Sequence, residues 1–445
     1  MPDWWMQPQF LVQIELAQRR EEGCDVSAIE AEVQAAGDGH SAAQAEHLYG
    51  QLEALTPRPD FPYHEPSDLE GIRAARPAGP RRLARPDDDV LADKMLGAWL
   101  GRAAGCQLGK PVEGLHRRDI EKYLRAANAY PLDDFVPWHE PMPEGIMLHP
   151  SARVATRGHF TEMARDDDID YTILGLHILE QHGAGFTTQD VGEAWLSLLP
   201  YHMVYTAERV AYRNLVNDLP LSQVPTWRNP FREWIGAQIR ADGWAYGAAA
   251  WPEKAAEFAW RDAALSHVKN GIYGEMWAAA MIAAAFAAPS GNPSLDQIVH
   301  LIDVGLSEIP AHCRLAEALR TLLVWRQTIS DWRDAWERIE AEYGRYHWVH
   351  TINNALIVAL GLLYGEGDYS TSISIAVMGG WDTDCNGATV GSVLGATLGA
   401  KALPPRWVAP FNDRTRSAVI GFDGSAFSDL AARSLAVYKR IMETC

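Results

Sequence analysis

The chain has 445 residues, with 39 Lys and Arg against 58 Asp and Glu, and a formal charge of −19. Hydrophobic residues make up 47% and charged residues 22%, so there is enough apolar surface for a folded core, unlike a disordered chain. The acidic excess argues against a general nucleic-acid binder and against adsorption to anionic membranes, because both partners attract basic surfaces.

The length allows one large domain or several ordinary ones. Met1-Pro2-Asp3-Trp4-Trp5 lacks the basic and apolar regions of a secretory signal. The most apolar stretch, Met276 to Ala288, is too short to span a bilayer. Cys24, Cys106, Cys313, Cys385 and Cys445 are odd in number and scattered, with no CxxC pair. A cytoplasmic protein with no nucleic-acid or membrane partner is expected. Cys24, Cys313 and Cys445 read as packing or surface thiols. The oligomeric state is not encoded in any visible pattern.

Residues 1–90 are expected to form an arm without chemistry. Phe10 to Ala36 is a polar, helix-favouring run, and Pro57 to Pro86, rich in Pro, Arg and Asp, reads as extended linker. Residues 91–445 are expected to form one compact, multi-helix, all-α domain, because period-two alternation is scarce. Ile169, Ile173, Leu176 and Leu179 form a stripe at helical spacing, which Gly183 ends. Met276–Ala288, Leu315–Trp325 and Ile352–Tyr364 read as buried helices, and Pro137–Pro150 and Pro220–Pro230 as loops.

Two helices carry glycine every fourth residue: Gly97, Gly101, Gly105, Gly109, and Gly387, Gly391, Gly395, Gly399. An interior glycine costs about 1 kcal/mol relative to Ala. The spacing places each set on one helix face, where another backbone can approach closely. Both helices should be central, and packed against each other.

Asp166-Asp167-Asp168 precedes the Ile169 helix, with Asp170 two residues on. Capping and the helix dipole account for one or two carboxylates at a helix start. Three or four repel one another and call for a cation, and hard divalent ions prefer oxygen ligands. Gly379-Gly380-Trp381-Asp382-Thr383-Asp384-Cys385 opens the second glycine helix with another acidic pair. Two such helix starts suggest one shared binuclear site, most plausibly for Mg²⁺.

Class I terpenoid synthases also bind Mg²⁺ in an all-α fold, and Asp166-Asp167-Asp168-Ile169-Asp170 fits their DDxxD formula. Their second motif is absent after Asp384. The chain more closely resembles the ADP-ribosylglycohydrolases, including the dinitrogenase reductase-activating type. Met95 through Gly109 and Pro111-Val112-Glu113 look like that family's opening helix. Asp166–Asp168 resembles its Thr/Ser-Asp-Asp motif, and Gly379 to Asp384 its Gly-Gly-Asp-Thr-Asp segment. Gly236-Ala237-Gln238 and His267 with Asn270-Gly271 resemble two substrate-cradling segments between them.

The resemblance, over roughly residues 93–440, implies a hydrolase of the ribosyl glycosidic bond in ADP-ribosylated substrates. It implies two Mg²⁺ ions, or Mn²⁺, held by Asp166, Asp167, Asp168, Asp382, Asp384 and, as a weaker ligand, Cys385. Glu113, Asp167 and Asp168 would be catalytic. Gly236, Ala237, Gln238, His267, Asn270, Gly271, Tyr273, Glu275, Gly380 and Trp381 would bind substrate. Tyr201, Tyr205, Trp244 and Tyr246 offer surfaces for adenine stacking. Asp166 stands where the family has a hydroxyl residue, Cys106 where Asp is common, Cys385 for a ligating Thr and Ile235 for Asn. Trp381 is inserted into the Gly-Gly-Asp motif. These departures leave two alternatives: another N-riboside or nucleoside as substrate, or a non-catalytic ADP-ribose-binding or structural relative.

Overall fold

Twenty α-helices carry the regular structure of residues 4–36 and 41–444, which the computed structural model describes. Among these residues the strands amount to one antiparallel pair, Arg414–Thr415 with Ser425–Ala426, so the protein is all-α. No helix among them is long and apolar enough to cross a membrane. Cys445 lies outside the described residues.

The glycine helices, Asp88–Gly109 and Thr383–Leu398, form the most extensive helix pair in the protein. Their glycines mesh reciprocally. A Cβ on Gly97, Gly101 or Gly105 would overlap the carbonyl of Gly395, Gly391 or Gly387, and the converse holds for each partner. Both helices are therefore pinned along their length by backbone-to-backbone contact. Gly399 differs from its expected role. It sits just beyond the helix at φ 84°, closing the C-terminus in a conformation that favours glycine.

The helix Asn270–Ala287 is buried on nearly every side. Its alanines favour helix and leave room for neighbours on all faces. The helix Asp167–His182 begins at Asp166, whose side chain accepts from the Asp168 N–H at 3.1 Å, and ends at Gly183 with φ 60°.

The arm is more structured than a continuous helical run and a linker. It forms three helices, Pro8–Glu21, Ser27–Ala36 and Ala42–Glu53, the first two separated at Gly23 with φ 81°. A short helix, Leu69–Ala75, lies within the otherwise irregular Pro57–Pro86 segment. Leu11, Val12, Leu16, Leu48 and Leu52 build a small apolar cluster with Val210, Phe231 and Trp234 of the main domain. Buried ion pairs reinforce the junction. Arg232 meets Glu15 at 2.6 Å and Glu22 at 3.2 Å, and Arg314 meets both Glu65 and Glu233 at 2.8 Å.

These charges make arm docking depend on pH. Burial works against the Glu233 and Glu22 carboxylates, but Arg314 and Lys269 beside Glu233, and Arg232 beside Glu22, outweigh it and hold both low. Their contribution is complete above the unfolded value, about 4.3, and is withdrawn as pH falls below it. Glu21 acts oppositely: burial pushes it up to about 8, so its contribution is lost as pH rises from about 4.3 toward 8. Protease sensitivity of the arm should therefore be lowest near about pH 5 and rise on either side. A flat cleavage rate between pH 3 and 8 would contradict this assignment.

Candidate functional site

The helix Asp167–His182 is tied to the pinned pair by Arg102 on Asp168 and Lys110 on Asp166, and so the two acidic helix starts meet. Gly109 abuts the Thr383 carbonyl, and Thr383 Oγ1 donates to the Gly109 carbonyl at 2.8 Å. This end of the pair faces a cavity of about 410 Å³. Ligand atoms of Cys106, Asp166, Asp168 and Asp384 lie within 4.8 Å of one another, and those of Asp382, Asp384 and Cys385 form a second such group. Asp384 belongs to both. Carboxylates more than two hundred positions apart in sequence thus share one centre.

The loop after the first glycine helix is stapled to the Asp382 turn. The Gly114 N–H donates to the Trp381 carbonyl at 2.9 Å, and the Trp381 N–H donates to the Leu115 carbonyl at 3.0 Å. This fixes Glu113 beside Asp382 and Asp384. Trp381 holds a positive φ of 65°, a strained conformation for a bulky side chain. Its ring packs at 5.9 Å from Trp336, away from the cavity.

The electrostatics are those of carboxylates crowded into a largely buried centre, with Glu113 and Asp167 at its partly exposed edge. Burial, then the Asp384 charge, pushes Glu113 well above the usual range. Burial and Asp166 push Asp167 up to about 7 and Asp384 up to about 6. Burial also raises Asp168 and Asp382. Asp166 is the exception: burial works against its charge, but Lys110 outweighs it and holds the group low. Asp384 Oδ1 is buried with no hydrogen-bond partner. An unpartnered buried carboxylate oxygen among other carboxylates fits a hard cation. Cys106 and Cys385 fit one less well, because burial raises both thiols and keeps them neutral.

Seven residues expected at the site line the cavity together: Glu113, Asp166, Asp167, Gly236, Asp382, Asp384 and Cys385. Asp168 lies just beneath, paired with Arg102 at 3.0 Å and accepting from Cys385 Sγ at 3.3 Å. The remaining substrate candidates are elsewhere. Asn270 is bonded to Glu65 and Glu233 at 2.8 Å, and the Tyr273 hydroxyl donates to the Pro66 carbonyl, so both anchor the arm. Gly271 abuts the Arg232 carbonyl. His267 is buried against Ser266 Oγ at 2.8 Å, and Glu275 lies 3.7 Å from Arg240. Ala237 and Gln238 are buried, and Gly380, like Trp381, is absent from the cavity wall. Of the stacking candidates only Tyr205 lines it. Trp244 stacks on Phe186 at 4.6 Å, Tyr246 packs on Trp99, and Arg209 covers Tyr201.

Asp170 does not join the carboxylate centre. Its carboxylate accepts from Ser417 Oγ at 2.7 Å, the Ala418 N–H at 2.9 Å and Arg165 at 2.7 Å. That overturns the DDxxD reading, which needs this residue at the metal. Asp170→Asn should leave divalent-ion affinity within about twofold and cost about 1–2 kcal/mol of stability. Calorimetric titration and a chemical melt check both, and a large loss of ion affinity would contradict the placement.

Several lining residues escaped sequence reasoning. Lys110 and His149 flank Glu113, and the arm contributes Trp4, Trp5 and Phe10 to an aromatic wall shared with Trp234 and Trp348. The arm, expected to be without chemistry, thus borders the site. No local pattern marks these residues, since their roles depend on which distant segment packs there.

The sequence profile of the ADP-ribosylglycohydrolase family matches residues 87–440. Among solved structures, an ADP-ribosylglycohydrolase-related protein complex is similar at 18% identity and a TM-score of 0.50, over 80% of this chain and all of that one. This likeness bears on the fold. No curated protein sequence gives a significant match.

Proposed function

This chain belongs to the ADP-ribosylglycohydrolase family and is a glycosidic-bond hydrolase, and from that premise we propose that it removes ADP-ribose from a modified substrate at an Mg²⁺-dependent site. The observation that carries the reading is the convergence of Asp166, Asp167, Asp382, Asp384 and Glu113 on one cavity wall. Asp382 and Asp384 would hold the divalent ion, beside Asp166, Asp167 and Asp168. When bound, it would supply charge to orient the vicinal ribose hydroxyls and water.

The chain's own residues account for the rest. Cleavage develops oxocarbenium character at the anomeric carbon. Glu113, held by its stapled loop, would take or steer a proton of the attacking water. Burial and the Asp384 charge raise its pKa, which strengthens the carboxylate as a proton acceptor. The aromatic wall suits a planar ring such as adenine. Rigid placement of Asp384 and Glu113 by the pinned pair and the loop stapled to it would supply the preorganisation such a reaction needs.

Release of ADP-ribose from arginine-modified protein in Mg²⁺, lost in chelator, is the expected result. Inactivity on arginine-, serine- and nucleoside-linked substrates alike would refute the reading. A second reading, a small N-riboside as substrate, is favoured by the arm bordering the cavity and by Ile235 in its wall. Much faster turnover of a free nucleoside than of modified protein would select it. Tight ADP-ribose binding without turnover would instead select a non-catalytic relative.

A further inference from the structure

Lys110 is an ammonium group placed inside the carboxylate centre, and sequence reasoning gave it no role. It is 7% exposed, and its Nζ is bonded to Asp166 Oδ2. Asp166 and then Asp384 are the charges that favour its protonated state most. Its backbone has little freedom. Gly109 before it is wedged against Thr383, and Pro111 follows within the short turn Lys110–Val112.

The two ligand groups of the centre differ in what already neutralises them. In the first, Asp166 has Lys110, and Asp168 has Arg102 at 3.0 Å. Its remaining member besides Asp384 is Cys106, a buried thiol and a poor partner for a hard ion. In the second, neither Asp382 nor Asp384 has an ion pair among the described residues. Asp384 Oδ1, on a residue only 4% exposed, has no partner at all. Lys110 reaches Asp384 only at longer range, without an ion-pair contact, so the larger unmet need for positive charge is on the Asp382/Asp384 side.

We propose that Lys110 stands in for one of two cations, so that the centre takes a single divalent ion on Asp382 and Asp384. This rests on the metal-dependent reading above. Part of the positive field facing an anionic substrate is then covalently fixed. A chelator cannot remove it, and the Asp166 side stays neutralised when the ion is absent. The ammonium also brings only one positive charge where a divalent ion would bring two. That fits a group in which one ligand is a neutral thiol.

Mn²⁺ bound to the full chain is the probe, counted by elemental analysis after equilibrium dialysis, with its paramagnetic resonance spectrum recorded. The expected result is one Mn²⁺ per chain and a single-ion spectrum. Lys110→Met, similar in length but uncharged, should admit a second Mn²⁺ and give a spin-coupled spectrum, while Lys110→Arg should stay at one. Two ions in the natural chain, or one ion in a folded Lys110→Met with unchanged affinity, would overturn the role of Lys110 and leave metal dependence standing. No Mn²⁺ bound in any form would overturn both. Should Lys110→Met fail to fold, the count in the natural chain still decides.

Discussion

Asp384→Asn is expected to lower metal-dependent turnover by about 10²-fold or more while making the metal-free protein more stable, by about 1 kcal/mol. Both effects follow from the position of the carboxylate. Asp384 is the member common to the two ligand groups, and its Oδ1 has no partner within the protein. Removing its charge removes the ligand that both groups share. Its charge also burdens its neighbours, contributing to the raised state of Glu113, Asp167, Asp168 and Asp382. Without a cation that repulsion opposes folding, so a neutral amide relieves it. Melting in chelator and ADP-ribose release in saturating Mg²⁺ measure the two effects. Retained turnover would remove Asp384 from the metal centre. A lower melting temperature in chelator would mean that its carboxylate supports the metal-free fold.

Gly101→Ala should destabilise the protein by about 3 kcal/mol, at the upper end of overpacking costs. The new methyl would overlap the Gly391 carbonyl, and backbone held in a helix cannot swing aside as a flexible side chain can. The gain in helix propensity, about 1 kcal/mol, offsets only part of the clash. Gly50→Ala is the control. Gly50 lies within the helix Ala42–Glu53, and a Cβ there would meet nothing within 4 Å, so propensity alone should act and stabilise by about 1 kcal/mol. Chemical denaturation of the two variants gives opposite signs if the stripe is a backbone contact. A neutral Gly101→Ala would mean that the helices can separate without cost. Activity should fall with stability in that variant, because the same helix pair sets Asp384 beside Lys110, which bonds Asp166.

The glycine stripes and acidic helix starts were legible in the sequence because their causes are local or periodic. A four-residue glycine repeat defines a helix face whatever surrounds it. Clustered Asp before an apolar stripe marks a helix start, as the Asp166 cap confirms. Asp170 shows where local reading stops. Two residues beyond Asp168, it fits a metal formula in the sequence. Besides nearby Arg165, however, its partners are Ser417 at 2.7 Å and the Ala418 N–H, contacts that only the path of the C-terminal segment creates.

Asn270 and Tyr273 show the same limit from the other side. Their spacing resembles a substrate segment, yet the arm reaches them first, through Glu65 and Pro66. The sequence by itself determined an all-α chain, two central glycine-faced helices and two carboxylate clusters in need of positive charge. The tertiary structure decided what meets those carboxylates: Lys110 on Asp166, nothing on Asp384 Oδ1, and arm tryptophans lining the same cavity. The physical reason is range. Helix periodicity and capping act within a few residues, whereas buried charge is compensated by whichever group the packed fold carries there, however distant in sequence.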